Sequence, residues 1–191
     1  EEEAKSNPIA VPGLKTSAYL GIKLCWGDLN YEVVPFDEII PRILDGTYKS
    51  GLIIHEGQLT YVDHNLDVLV DLGVWWNEKT GGLPMPLGGN VVRRDLGKQI
   101  MEDVTMYTKR SIEHSIANPD VALQFAKKWG RGIDDDTNRE FVTMYVNERT
   151  IDYKTEGRES IRMFLREGQD IGLIDSDFDI SSVQFIGSGE S

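Results

Sequence analysis

The feature that most constrains this fold is an alternation of short apolar runs with amphipathic stretches over residues 8–92. The predicted elements, in chain order, are strand 9–11, helix 16–26, strand 31–35, helix 37–44, strand 52–55 and strand 68–72. Asp37 is the expected N-cap of the second helix, and Gly46 lies just past its end. A repeated strand–helix order favours a parallel or mixed sheet with helices on its faces. We therefore expect an α/β lobe over residues 8–90.

The pattern changes to amphipathic helices after residue 95. Asp95 is the predicted cap of a helix over 96–117, and Asn118-Pro119 is typical of the start of the next helix, to about residue 129. Two further helices are predicted over 136–148 and 155–168. Residues 91–191 are therefore expected to be mainly helical, with a flexible tail at 187–191.

Charge and composition exclude several classes of partner. The chain has 20 basic and 32 acidic side chains and a formal net charge of −12, whereas a nucleic-acid binder needs a basic face. No apolar run approaches the roughly 18–20 residues of a membrane span. Three His and one Cys do not make a zinc cluster, so no metal is expected. The lone Cys25 fits a reducing compartment, or a fold that needs no disulfide.

His55 is the most informative single residue. It ends the apolar run of residues 51–54, and ligands of open α/β sheets bind outside the carboxyl ends of the strands. An imidazole there can serve as a general base near neutral pH. Glu56 beside it has three possible roles: orienting the ring, binding a ligand or facing water. A hydrogen-bonded structural histidine is the alternative interpretation.

Thr16 and Ser17 form a second candidate site. A strand, the turn Pro12-Gly13 and two hydroxyls at a helix start make an arrangement that binds a carboxylate or phosphate. The order and spacing of a Walker loop are absent. An ordinary helix N-cap is the alternative.

The nine residues 81–89 hold four glycines and two prolines, so they cannot lie inside a helix. They form an active-site loop, a hinge or a plain linker. Just before them, the adjacent Trp75 and Trp76 must point to different sides of their element. We expect one of them in the core and the other at the mouth of a cleft.

Several motifs follow one another in the order, and at nearly the spacing, of a known enzyme family. They are Ile9-Ala10-Val11-Pro12-Gly13, Thr16-Ser17-Ala18-Tyr19, Pro35-Phe36-Asp37-Glu38-Ile39, Gly51-Leu52-Ile53-Ile54-His55-Glu56-Gly57, Val70-Asp71-Leu72-Gly73, Pro86-Leu87-Gly88 and Arg93-Arg94-Asp95-Leu96. Over residues 8 to about 150 the chain resembles the 1,4-dihydroxy-6-naphthoate synthases of the futalosine route to menaquinone.

This resemblance implies a type II periplasmic-binding-protein fold, with two α/β lobes and a cleft between them. It also implies a cofactor-free, cytoplasmic lyase that converts cyclic dehypoxanthinyl futalosine, an aromatic carboxylate, into the naphthoate. His55 matches the family's catalytic base. The expected substrate-binding residues are Thr16, Ser17, Glu56, Tyr61, Leu87 and Gly88.

The resemblance also has departures. The family's second hydroxyl residue is commonly Thr, and here it is Ser17. Nothing in the chain matches the segment that the family carries before the 9–11 strand. Residues 91–191 would then be the helical part of the other lobe without its first strands, and their apolar faces would be exposed. We therefore expect a second polypeptide or a homodimer to complete that lobe.

Other functions stay open because fold does not fix function. A non-catalytic small carboxylate- or solute-binding protein would need the anion site at the helix start but not His55. A chorismate-derived dehydratase is disfavoured by the pair His55-Glu56. A purely structural interaction domain is weakly disfavoured by the Pro, Gly and polar residues kept at strand ends.

Overall fold

The computed structural model describes residues 2–55, 57–128 and 135–187. The chain divides into two compact units, residues 1–88 with 160–180 and residues 89–159 with 181–191. The lobes expected at 8–90 and 91–191 stay a prediction, and the segment 160–180 folds with the first unit.

Within the described ranges, the α-helices are α1 (Glu2–Ser6), α2 (Ser17–Trp26), α3 (Ile39–Leu44), α4 (Gly57–Thr60), α5 (Leu72–Thr80), α6 (Lys98–Ala117), α7 (Pro119–Ala126), α8 (Asp135–Tyr145), α9 (Glu148–Ile151) and α10 (Lys154–Asp170). The strands described are β1 (Ile9–Val11), β2 (Tyr31–Val33) and β3 (Ser50–Gly51). Short 3₁₀ helices cover Phe36–Glu38, Tyr61–His64, Arg94–Leu96 and Ile180–Ser182.

The sheet of the first unit has the strand order β2-β1-β3, and both strand pairs are parallel. The α/β class is therefore confirmed, and the sheet is parallel rather than mixed in the part of the chain that is described. All three residues of the central strand β1 are buried, as expected for a strand covered on both faces. Ile9 and Val11 point to one face and Ala10 to the other, because side chains alternate along a strand.

Glycine at position 51 lets α3 lie close to the sheet. A Cβ atom at Gly51 would come within 2.4 Å of Ile39 Cγ2 and 3.0 Å of Ile43 Cδ1. This face of the sheet buries Ala10 and Val34 together with Ile39 and Tyr48. The opposite face buries Ile9 and Val11 against residues of α2.

A third core cluster joins α2, α5 and the returning α10 through Leu20, Trp76 and Phe164. The Trp76 side chain is fully buried, and its indole Nε1 donates to Ser160 Oγ at 2.8 Å. The Ser160 hydroxyl in turn donates to the Pro84 carbonyl at 2.6 Å. These hydrogen bonds satisfy the indole N–H, which is costly to bury without an acceptor.

Two of the predicted strands do not form at the predicted residues. Residues 68–72 form no strand, because Asp71 caps α5: its Oδ1 accepts from the N–H groups of Gly73 at 2.8 Å and Val74 at 3.0 Å. The strand predicted at 52–55 is also wrong, because the observed strand β3 lies just before it, at Ser50–Gly51. Leu52 still donates to Ala10 at 2.8 Å, but β1 ends before Pro12, so β3 has no further partner on that side.

Two predicted caps are also wrong. Asp37 lies inside the 3₁₀ helix Phe36–Glu38 that precedes α3. Asp95 forms an ion pair with the Arg93 guanidinium, and α6 begins only after Gly97, which has a φ of +81°. The left-handed Gly46, at φ +83°, lies past the end of α3 as predicted.

The second unit is helical, as expected. Its 20-residue helix α6 has no fully buried residue, and α7 begins at Asn118-Pro119 as predicted. Among the apolar residues of α6, Met101 and Ile112 are half-buried, while Val104 and Ile116 are exposed. Of the flexible tail expected at 187–191, residues 188–191 lie outside the described residues. No helix in the described ranges combines the length and the apolarity needed to cross a membrane.

Candidate active site

The carboxyl ends of the three parallel strands meet at one edge of the sheet. Three segments leave the sheet there: residues 12–16 after β1, 34–36 after β2 and 52–55 after β3. Because β1 is the central strand, the segment 12–16 starts between the other two. This edge is where open α/β sheets bind ligands.

His55 lies at this edge and is exposed to solvent. Its backbone has a φ of +57°, a left-handed conformation that is unfavourable for a residue with a Cβ. Such strain is concentrated at functional sites. The imidazole packs beside the Phe36 ring, with 4.5 Å between ring centroids and an interplanar angle of 44°. A side chain that follows β2 therefore contacts one that follows β3.

Thr16 acts as the N-cap of α2. Its Oγ1 donates to the Gly13 carbonyl at 2.8 Å and accepts from the Tyr19 N–H at 3.0 Å. The single hydroxyl proton is therefore already used inside the protein. The backbone N–H groups of Ser17 and Ala18 have no acceptor in the part of the chain that is described, as is usual in the first turn of a helix. They remain as donors for an anion.

Ser17 connects the start of α2 with the Gly/Pro-rich loop, residues 81–89. Its Oγ donates to the Leu87 carbonyl at 2.5 Å. The Leu87 side chain is 57% exposed, and a Cβ at Gly88 would meet no atom within 4 Å. The loop therefore presents an open, exposed stretch next to the helix start.

Tyr19 lies one turn into α2, behind these donors. Burial raises the pKa of Tyr19 to about 12, and its hydrogen bond with Tyr31 adds to this shift. The two rings pack edge to face, 5.2 Å apart. The phenol is therefore neutral at physiological pH and does not repel an anion at the helix start.

The structure brings together only part of the predicted site. Ser17 and Leu87 are hydrogen-bonded, and Thr16 and His55 follow neighbouring strands. Tyr61 is half-buried at the start of the 3₁₀ helix Tyr61–His64. Glu56 lies outside the described residues. No group of three His, Cys, Asp or Glu side chains able to hold a metal ion is found in the described ranges.

Sequence reasoning missed Phe36 as a member of this site. The sequence pattern marks Phe36 only as part of the motif Pro35-Phe36-Asp37-Glu38-Ile39. The available signal was its position just after β2, at the same edge of the sheet as His55. Trp76 is the buried member of the tryptophan pair, and Trp75 packs against the same core while remaining half-buried.

Comparison with known proteins adds independent information. The family model described as menaquinone biosynthesis matches residues 1–170. A Thermus thermophilus protein named 1,4-dihydroxy-6-naphthoate synthase is 35% identical over 165 residues, which are 86% of this chain and 60% of that protein. A Streptomyces coelicolor protein of the same name is 31% identical over 180 residues, 91% of this chain and 64% of that protein.

A crystal structure of an Archaeoglobus fulgidus protein, determined by a structural genomics consortium, superimposes with a TM-score of 0.85. It is 38% identical in sequence, and the match covers 90% of this chain and 64% of that one. The chain therefore spans 60–64% of the length of the relatives that it matches.

Proposed function

Because the chain belongs to the menaquinone biosynthesis family, we propose that it carries the site that converts cyclic dehypoxanthinyl futalosine into 1,4-dihydroxy-6-naphthoate. The names of the two curated relatives support this product. The proposal includes a type II periplasmic-binding-protein-like lobe built on the parallel sheet of the first unit. It also includes a cytoplasmic location, with which the single Cys25 agrees.

His55 is the proposed general base. The observation that carries this role is its position: an exposed imidazole at the ligand-binding edge of a parallel sheet, in a strained backbone conformation and beside Phe36. In the proposed lyase step His55 removes a proton from the substrate, and the carbon skeleton then fragments to the aromatic product. Aromatisation supplies driving force, so the protein mainly positions the substrate and accepts the proton.

The start of α2 is the proposed site for the substrate carboxylate. The N–H groups of Ser17 and Ala18 and the helix dipole favour a negative charge there. In a chain of net charge −12, these local donors have to outweigh the general field of the protein. Leu87 and Gly88 lie on the adjacent loop, and Glu56 and Tyr61 remain proposed contacts.

A second polypeptide or a second copy is proposed to complete the other lobe. The support is the exposure of apolar side chains in the second unit, where Tyr107, Val121 and Phe125 are each at least 63% exposed. Monomeric proteins rarely leave such surfaces uncovered. Native mass spectrometry tests this: a complex with a smaller chain or a dimer is expected, and a monomer at all concentrations would contradict it.

The test of the activity is turnover by the purified protein, with any co-purifying chain, measured by chromatography of the naphthoate product. His55→Ala is expected to lower turnover by a factor of about 10²–10⁴, the usual contribution of a general base. His64→Ala is the matched control, because His64 is also exposed and lies in the following 3₁₀ helix. Its turnover should stay within about twofold of the wild type.

Turnover by His55→Ala within a few-fold of the wild type would overturn the assignment of the base. No turnover by the wild type, combined with carboxylate binding that is indifferent to His55, would instead favour a non-catalytic solute-binding protein.

A further inference from the structure

The second unit contains a cavity that the proposed active site does not use. Its volume is about 300 Å³, and it is lined by α6, by residues 149–153 around the end of α9, and by residues 184–187. This volume is at the lower end of the range for small-molecule sites, which is about 300–1,000 Å³. All lining residues belong to the second unit, so the cavity is a feature of that unit alone.

The lining of this cavity is strongly basic. Four cationic side chains line it, Arg94, Lys109, Arg149 and Arg158, and one carboxylate, Asp152. The chain as a whole has a formal net charge of −12, so the lining has the opposite sign to the protein. A recess lined by one sign of charge attracts ligands of the other sign.

Two of these cations already have partners in the protein. The Arg158 guanidinium, with a side chain only 8% exposed, forms an ion pair with Asp152 at 2.8 Å. Arg94 donates to the backbone carbonyl of Ser182. For Lys109 and Arg149, by contrast, the described ranges contain no ion pair. These two charges are therefore available to an anion.

Beside these charges and several neutral polar residues, the lining includes apolar and aromatic side chains. Phe185 packs edge to face with Tyr153, with ring centroids 5.9 Å apart, and the Arg158 guanidinium lies 5.9 Å from the Phe185 centroid. Met101 and Ile112 of α6 line the same cavity. A cavity that is lined by both an aromatic ring and the cations Lys109 and Arg149 suits a ligand with a flat apolar body and an anionic group.

We propose that this cavity binds a small aromatic carboxylate, with its carboxylate held by Lys109 and Arg149 and its ring packed against Phe185. The site is separate from His55 and does not depend on the proposed lyase activity.

The test uses 2-naphthoate as the probe, titrated into the full chain and followed by calorimetry and by backbone amide NMR. Saturable binding is expected, with shifts concentrated in α6, residues 149–153 and residues 184–187. Lys109→Gln and Arg149→Gln should each raise the Kd at least about tenfold, because each removes a charge-assisted hydrogen bond.

Arg110→Gln is the matched control. Arg110 follows Lys109 on α6 and is exposed, but it does not line the cavity. Arg110→Gln removes one positive charge, as Lys109→Gln and Arg149→Gln do, and should leave the Kd for 2-naphthoate unchanged. His55→Ala should also leave it unchanged, which keeps this proposal separate from the proposed function. Phe185→Leu, checked for an unchanged amide spectrum elsewhere, should weaken naphthoate binding but not acetate binding.

Three results would overturn the proposal. One is the absence of saturable binding at millimolar 2-naphthoate. Another is equal weakening by Arg110→Gln and Lys109→Gln, which would indicate attraction by net charge alone. The third is inorganic phosphate or acetate binding as tightly as 2-naphthoate, with no effect of Phe185→Leu, which would leave no role for the aromatic wall.

Discussion

The two units bury their apolar side chains to very different extents. Among the described residues, fourteen apolar side chains are buried; Leu123 lies in the second unit and the other thirteen lie in the first. The first unit has a sheet whose two faces are covered by helices. The second unit has a longer helix, α6, with no buried residue.

This difference shows that forming a helix and burying its apolar face are two separate requirements. Helical periodicity is enough to specify α6, and periodicity together with the Asn118-Pro119 start signal is enough to specify α7, since both form close to where the sequence predicts them. Burial needs a complementary surface, and periodicity says nothing about whether one is present. Most helical stability in proteins comes from that surface rather than from intrinsic propensity. We therefore expect the second unit to be the less stable of the two.

The largest expected difference between the two units comes from removing one aromatic ring in each. Trp76→Ala removes a fully buried side chain and should cost about 3–5 kcal/mol of the free energy of unfolding. Phe125→Ala in the second unit removes a ring that is 63% exposed and should change it by less than about 0.5 kcal/mol. Urea unfolding, with amide hydrogen exchange to resolve the units, measures both. Similar losses would show that the second unit has a core of its own.

A smaller effect is expected from one hydroxyl in each unit. Ser160→Ala leaves the buried Trp76 N–H without its acceptor and should cost about 1–3 kcal/mol. Ser115→Ala removes an exposed hydrogen bond to the Ser111 carbonyl within α6 and should be nearly neutral. The same unfolding measurement compares them. A neutral Ser160→Ala would mean that another group or a water takes over the role of Ser160.

The smallest effect concerns backbone strain, which occurs in both units. His55 has a φ of +57° in the first unit, and Lys154 has a φ of +55° in the second. Glycine adopts this conformation freely, so His55→Gly and Lys154→Gly should each raise the free energy of unfolding by about 0.5–1 kcal/mol.

The functional outcomes of these two glycine variants should differ. His55→Gly is expected to lower turnover by a factor of about 10²–10⁴, as His55→Ala does, whereas Lys154→Gly should preserve it, since only the first strain lies at the candidate active site. Loss of turnover in both variants would contradict the prediction that only the strained residue His55 takes part in catalysis.

Much of the first unit follows from local sequence signals. The strand at 9–11 and the helix 17–26 with its Thr16 cap were predictable, because a buried apolar run, a turn and a capping hydroxyl act over a few residues. The strand predicted at 31–35 forms but ends two residues earlier, at Val33. The position of His55 after a strand was predictable for the same reason.

The errors share a physical cause, which is competition between local partners. Residues 68–70 have the apolar character of a strand, but Asp71 starts a helix that buries Trp76. Asp95 has the side chain of a cap, but Arg93 binds its carboxylate.

The contacts between distant segments had no local signal. The contact of Phe36 with His55 and the hydrogen bond from Ser17 to Leu87 depend on the strand order and the path of a loop. The packing of Phe164 on Trp76 depends on a return of the chain after the second unit. The sequence pattern places residues 91–191 in the other lobe, and no sequence signal near residue 160 indicates that return.

The return of residues 160–180 has a consequence for the order in which the protein is made. A ribosome completes residues 1–88 and then the whole of residues 89–159 before it adds Ser160 and Phe164. Until then Trp76 lacks both its indole acceptor and the ring that covers it. We expect the first unit to remain open during translation and to close its core only after the second unit has emerged. The sheet that precedes His55 is therefore synthesised before the second unit, but its surrounding core is completed only after that unit.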